Sequence, residues 1–566
     1  MPTHHSLFNR SKTLEDSKGT TYDLLVIGGG ITGAGIALEA GKAGLKTLLL
    51  EKTDFAHATS SRSSKMIHGG LRYLENFQFH VVKESLRGRK ELLKQASHLV
   101  SPMTFLFPVY KGDPVGPIKL GLGLTLYDKF AGKDNLQAHR KISLRELQND
   151  YPLIKIEGFK GAFQYQDAIT DDARLVIETL RSALLTNNVS VLNHAEALEV
   201  KSPTTENPLS EITWRETLSG SEQTLHKNLA QTVILAGGPW TDRLTRILDF
   251  SVNEKYLLPS KGIHILVKSE KLPVKTAVVL TEPEHHRILF VVPRYGFTLV
   301  GTTESPYTED PACVFPTREE VDYLKNRIQD FFPNVLIQDN DILSSYAGVR
   351  PLAKEPGSHE STEGKASREH VIKELRPNLF LIAGGKYTTY RLMSQEIIQK
   401  VFLSQKKKAP FYSDLDLNPL LPWNSEDALL QLRKSLSSKS KEIGVPEKTL
   451  TDWTFFYGAE TQTLIDWILK DPSLKQPLNP SDPHCIWNLA HVRFAVELEE
   501  ALTLNDVIFR RLNTFYHSSG DQALNAHLLI NDFMKNLLGW SEERTQSEKE
   551  SFLEIRKKEN AWRDLS

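Results

Sequence analysis

Cysteine is scarce in this sequence, with only Cys313 and Cys485 among 566 residues. They lie far apart, without C-x-x-C or His-rich spacing, so neither a disulfide framework nor a structural zinc site is expected. No metal is assigned, and a reducing compartment fits. An excess of charge is also missing, since 69 Lys and Arg stand against 70 Asp and Glu, a formal net charge of −1. No global field therefore favours nucleic acid. Long hydrophobic runs are absent too. No stretch approaches the roughly 20 apolar residues that cross a bilayer, and the nearest, such as Ile288 to Pro293, are strand-sized. Residues 1–21 lack the apolar core of a signal peptide, and their Glu15 and Asp16 are unlike a transit peptide. That segment reads as a flexible extension.

What is present suits a folded chain of two to four domains, with 40% hydrophobic and 25% charged residues. Tyr22 to Ile27 (YDLLVI) reads as a buried strand of a parallel sheet, followed by a small-residue helix over 31–43 and a second buried strand, Lys46 to Leu50, ending at Glu51. This is a complete βαβ unit. A helix is expected from Asp171 and a strand at Ser190 to Leu192, and two more apolar runs, Gln231 to Ala236 and Leu379 to Ala383, stop at glycines. Three such glycine-terminated strands imply one sheet assembled from distant segments. Gly262 to Val267, Arg287 to Pro293 and Phe297 to Gly301 read as antiparallel strands inserted into it. Ser404 to Pro410 reads as a linker, residues 354–370 as a mobile polar loop, and the remainder as helical.

Gly28, Gly30 and Gly33 occupy the G-x-G-x-x-G positions between the first strand and its helix. One glycine makes the turn, the next admits a pyrophosphate, and the third lets helix and strand touch. The helix N-terminus offers N–H donors, and Glu51 is placed to accept from a ribose 2′-OH, which disfavours NADP. The fingerprint alone leaves FAD and NAD open.

The string that follows, A-T-S-S-R-S-S-K-M-I-H-G-G-L-R-Y-L-E over Ala58 to Glu75, resembles the FAD-dependent, membrane-associated glycerol-3-phosphate dehydrogenases, a family within the D-amino-acid-oxidase-like flavoproteins. Further matches include G-P-W at Gly238, K-G-x-H at Lys261, G-V-R-P-L at Gly348 and G-G-K-x-T-T-Y-R at Gly384, continuing to A-L-T-L-N-D-V at Ala501. The strand before Gly238 departs from the family, carrying Leu235 and Gly237 in place of its usual residues. The resemblance implies a discontinuous Rossmann-like FAD-binding domain, α/β in class, over 22–95, 170–255 and 345–400. An α+β substrate domain of D-amino-acid-oxidase type covers 96–169 and 256–344, and a helical C-terminal domain covers 410–566.

A phosphate dianion needs several cationic donors. Arg72, Arg350 and Lys386 lie in glycine-rich strings and form the expected clamp, which the resemblance extends to Tyr73. Oxidising a secondary alcohol also needs a base. His264 is the leading choice and His68 its rival, with Arg287 and Arg350 helping to polarise the substrate oxygen. Ser60, Ser61, Ser64, Lys65, His68, Gly238, Gly385 and Thr388 are expected against the flavin nucleotide.

The resulting expectation is oxidation of sn-glycerol 3-phosphate, with electrons passed to a membrane quinone. Alternatives are an oxidase that reduces dioxygen and a non-catalytic FAD-binding protein. The chain is expected in the cytoplasm, attached peripherally to the inner face of the membrane; Pro114 to Phe130 is a candidate contact, with burial of that segment in the core as the alternative, and a homodimer is compatible with the sequence.

Overall fold

The computed structural model describes residues 6–564 other than 76, 205–206, 219–223, 248–253, 283–286, 355–368, 413–415, 483 and 518–519. The expected loop at 354–370 thus lies almost wholly outside the described residues.

Strand Thr21–Ile27 runs parallel between Leu225–Leu235 and Thr47–Leu50, with Val189–Leu192 next outward. Leu379–Gly384 joins parallel to Leu225–Leu235, and His370–Arg376 closes that edge antiparallel. Leu24, Leu25 and Val26 are fully buried, as unbroken apolar runs require when both faces of a sheet are covered. Helices Ile31–Lys42, Asp172–Leu184 and Tyr390–Ser404 pack on one face. The hairpin of Ala195–Lys201 and Ser210–Glu216 covers the other.

The second sheet is mainly antiparallel and is built around Ser101–Tyr110, Phe159–Ile169, Leu257–Lys268 and Ile342–Ala353. Here the expected boundaries shift. Residues from 345 were assigned to the cofactor domain, yet Ile342–Ala353 pairs with Leu257–Lys268 along most of its length. Met66–Ile67 likewise pairs with Phe159–Ile169. Apolar strands look alike locally, and the partner of each is decided by distant chain.

The expected flexible extension also needs correcting from Ser6 onward. Arg10–Ser17 is a helix capped by Asn9. Phe8 is buried against Phe55, and Arg10 pairs with Glu216 at 2.9 Å. Beyond the linker, helices Glu426–Ile443, Glu447–Tyr457, Thr461–Lys470 and Leu489–Glu499, with Gly520–Leu538 and Glu542–Asn560, share one core that continues into the second sheet through Phe105, Leu299 and Tyr346.

Candidate active site

The cradle at the end of the first strand is made of close backbone contacts. Gly28 has φ +116°, and a Cβ there would sit 2.4 Å from the Ala236 carbonyl oxygen. A Cβ on Gly33 would meet the Gly28 carbonyl oxygen at 1.8 Å, so helix and turn touch only because both residues are glycine. Gly30 precedes the helix, and no side chain caps it, which leaves first-turn N–H groups for an anion. Ser60 Oγ accepts from Ile31 N at 3.0 Å and so ties the serine turn to this terminus. Glu51 accepts from Gly29 N at 2.7 Å and Thr53 N at 2.9 Å. Burial pushes its carboxyl up, against these hydrogen bonds. The cradle therefore fits a dinucleotide: glycines where a Cβ would collide, open donors, and a fixed acid at the strand end.

Residues 58–70 wrap back over the sheet junction. Ser61 bonds the Ala58 carbonyl oxygen at 3.2 Å. Lys65, at φ +56°, forms a buried ion pair with Asp172. Asp172 also accepts from Ser63 Oγ at 2.7 Å. His68 N donates to Thr388 Oγ1 at 3.4 Å, so the expected flavin-side residues His68 and Thr388 do meet. Gly385, at φ +85°, makes the turn ahead of Thr388, and Gly238, at φ +52°, makes the corresponding turn after Leu225–Leu235. The two departures near it are tolerated: Leu235 is fully buried, and Gly237 packs beside Leu244.

On the second sheet, pleat alternation puts His264, Tyr346 and Arg350 on one face, because His264 pairs with Tyr346 and Ser260 with Arg350. His264 is 3% exposed and stacks on Tyr346 with ring centroids 4.9 Å apart. Its Nε2 lies 2.9 Å from Ser64 Oγ, and its Nδ1 has no hydrogen-bond partner among the described residues. Burial first, then the charges of Arg350 and Lys65, push its pKa down to about 3. The ring is thus a neutral imidazole. Arg350 donates to Thr302 Oγ1 at 2.7 Å and to the Thr303 carbonyl oxygen at 3.1 Å. Lys386 Nζ stands 3.7 Å from the Tyr73 ring centroid and 3.0 Å from Ser85 Oγ, which brings two members of the expected clamp together.

Two expectations fare differently. The side chain of Arg72 lies outside the described residues. Arg287 is contradicted: it starts strand Arg287–Pro293 in register with Leu289 and Val291, which pack under the sheet with Leu324 and Ile328. Phe290, opposite Gly301 and hence on the His264 face, alternates with them. Arg287 accordingly lies toward Tyr323 and Glu282, away from His264.

Several residues of the site escaped sequence reading. Asp172 entered only as part of the helix expected from Asp171, and Tyr346 not at all. A buried network also holds the glycine turn: Arg89 Nη1 donates to Asp167 at 2.6 Å, Tyr127 Oη donates to it at 2.7 Å, and Gly69 N donates to Tyr127 Oη at 2.8 Å.

Residues 23–390 match the family described as FAD dependent oxidoreductase, and residues 425–545 match the C-terminal domain of alpha-glycerophosphate oxidase. The aerobic glycerol-3-phosphate dehydrogenase of Staphylococcus haemolyticus is 33% identical over 97% of this chain and 96% of its own length. The chain belongs to this family of FAD-dependent oxidoreductases. The Staphylococcus aureus relative of the same name is 37% identical over 71% of each chain. Among solved structures, the glycerol-3-phosphate dehydrogenase from Bacillus halodurans complexed with FAD aligns with a TM-score of 0.75 at 26% identity, covering 98% of both chains. The L-alpha-glycerophosphate oxidase of Mycoplasma pneumoniae shares the fold at a TM-score of 0.53 and 20% identity, over 70% of this chain. The family is FAD-dependent, and the Gly28 to Glu51 cradle fits the dinucleotide part of that cofactor.

Proposed function

We propose that the protein oxidises sn-glycerol 3-phosphate to dihydroxyacetone phosphate and that its electrons pass on to a membrane quinone. FAD, when bound, accepts the hydride. The substrate's C2–H bond breaks with its electron pair, and the hydroxyl proton leaves to a base. The observation that carries the reading is the buried His264 ring held beside Arg350 on one sheet face. A neutral imidazole keeps a lone pair for the hydroxyl proton. A phosphate dianion near Arg350 and Lys386 would offset the positive field that depresses His264, so binding substrate strengthens the base. Arg350, Lys386, Tyr73 and Arg72 are assigned to the phosphate and its orientation.

Anaerobic addition of sn-glycerol 3-phosphate to the FAD-loaded protein is expected to bleach the visible flavin band, whereas glycerol leaves it unchanged. His264→Asn should bleach at least ~100-fold more slowly. A yellow protein that the phosphate ester never bleaches would overturn the assignment. Re-oxidation by a soluble quinone faster than by dioxygen supports the dehydrogenase over the oxidase. That preference already has support in relatives named dehydrogenases that align along 97% of the chain.

Peripheral membrane contact is proposed at helix Pro117–Ala131. Its inner face buries Leu120, Leu124 and Tyr127, while Ile118, Leu122 and Leu126 are exposed at i, i+4 and i+8, with Phe77 exposed nearby. Among the described residues, no helix is long and apolar enough to cross a membrane. Ile118→Ser with Leu122→Ser should cut co-sedimentation with anionic lipid vesicles several-fold and leave soluble-acceptor turnover intact. Unchanged co-sedimentation would remove this helix from the contact.

A further inference from the structure

A cavity of about 420 Å³ opens between the second sheet and the last helices. It lies within the size range of small-ligand sites. Arg556, Lys557 and Arg563 converge on it from the end of helix Glu542–Asn560 and the turn that follows, with Asp564 as the acidic residue of the lining. Phe515 and Leu553 give it an apolar wall. Lys557 is exposed and makes no ion pair among the described residues. Arg563 donates to Asn560 Oδ1 and to the carbonyl oxygens of Asp339 and Ile342, which uses three of its five N–H groups.

His527 supplies a second, independent observation. It is 1% exposed and lines the same cavity, between the rings of Phe515 and Phe552. Neither ring nitrogen has a hydrogen-bond partner of ordinary geometry among the described residues, although the Thr514 backbone acts on the ring and favours its protonated form. Buried polar groups are almost always satisfied, so a donor and an acceptor left open against a cavity point to an occupant.

We propose that this cavity binds a small phosphate monoester, held by Lys557, Arg556 and Arg563, with His527 donating to it and its carbon portion against Phe515 and Leu553. Three converging cations suit a group with three charged oxygens better than they suit a carboxylate. Burial and the Arg556 charge keep His527 neutral, with its pKa pushed down to about 3, so it serves as a single N–H donor. The site is separate from the catalytic one, but Ile342 and Ser344 in its wall begin the strand that later carries Tyr346 and Arg350. An occupant there is in a position to adjust substrate affinity. The inference does not depend on the proposed substrate.

The test is equilibrium dialysis of the FAD-loaded protein against phenyl phosphate and against inorganic phosphate, with the flavin spectrum reporting the catalytic site in parallel. The wild type should bind two equivalents of phenyl phosphate per chain, one of them silent in the flavin spectrum. The silent equivalent should prefer phenyl phosphate over inorganic phosphate by about tenfold, because the ring is buried. Lys557→Glu, a surface change that leaves folding intact, should weaken it about tenfold or more, and His527→Leu should weaken it too, while the flavin-reported equivalent stays the same. Absence of a flavin-silent equivalent in the wild type, or a silent equivalent indifferent to Lys557→Glu, would overturn the proposal. Loss of flavin bleaching by glycerol 3-phosphate would instead count against the catalytic assignment alone.

Discussion

In the cofactor cradle the decisive contacts are backbone on backbone: Gly33 against the Gly28 carbonyl, Gly28 against Ala236. In the seam where the helical layer meets the cofactor side, they are side chain on side chain. Asp54 accepts from Arg511 Nη1 at 2.7 Å and Arg510 Nε at 2.5 Å. Arg174 pairs with Glu499 and Arg181 with Glu460, each at 2.6 Å, and Arg62 with Glu559 at 2.6 Å. Asp54, His194 and Asp506 even lie close enough to hold a metal, but Arg510 and Arg511 already neutralise the two carboxylates. A backbone contact fails when one atom is added. An ion-pair seam fails when one charge is removed.

The sharpest way to expose that difference is Gly33→Ala. The new methyl would overlap the Gly28 carbonyl oxygen, neither backbone can retreat without breaking the turn, and FAD retention should be lost. The expected product is colourless protein on purification. Retention of stoichiometric flavin would show that the turn relaxes and that close contact is not what makes the cradle. Asp54→Ala attacks the other construction. It strands Arg511 as a buried, uncompensated cation, at an expected cost of about 3–5 kcal/mol in unfolding free energy, read by denaturant titration. A loss below about 1 kcal/mol would mean that water or Glu499 takes over, and that the seam is held by packing alone.

The same contrast explains what could be read in advance. The cradle is local: strand, three glycines, helix and acid fall within Tyr22 to Glu51, so sequence spacing carries its geometry. His264, Arg350 and Lys386 were reachable because they stand in distinctive strings. The placement of Arg287 failed because alternation along a strand decides which face a side chain takes, and that register is set by the neighbouring strands. Asp172, Tyr346 and the Arg89–Asp167–Tyr127 network went unread for a related reason, since their partners lie 40 or more residues away. Periodicity revealed the C-terminal helices. It carried no information about which of their charged residues would be buried against the cofactor side, because a lone arginine on a helix looks solvated until its partner is known.

Glu500 offers the finest probe of the seam. It ends helix Leu489–Glu499 at φ +51°, buried, with Arg10 at 3.8 Å as its nearest cation. Burial pushes its carboxyl up to about 7, and Arg10 and Arg511 only partly offset this. In the unfolded chain the group titrates near the ordinary carboxylate value, so between that value and about 7 the folded state holds the extra proton. Its contribution to stability is therefore fully present below the ordinary carboxylate value and is lost as pH rises from there through about 7. At about 1.4 kcal/mol per pH unit the loss is at most roughly 3 kcal/mol. Glu500→Gln keeps the shape and removes the titration, so its unfolding free energy should fall less than that of the wild type between pH 5 and pH 8. Parallel pH profiles for the two proteins would mean that Glu500 is already ionised in the fold, with Arg10 and Arg511 as full partners, which would make the seam a closed set of ion pairs.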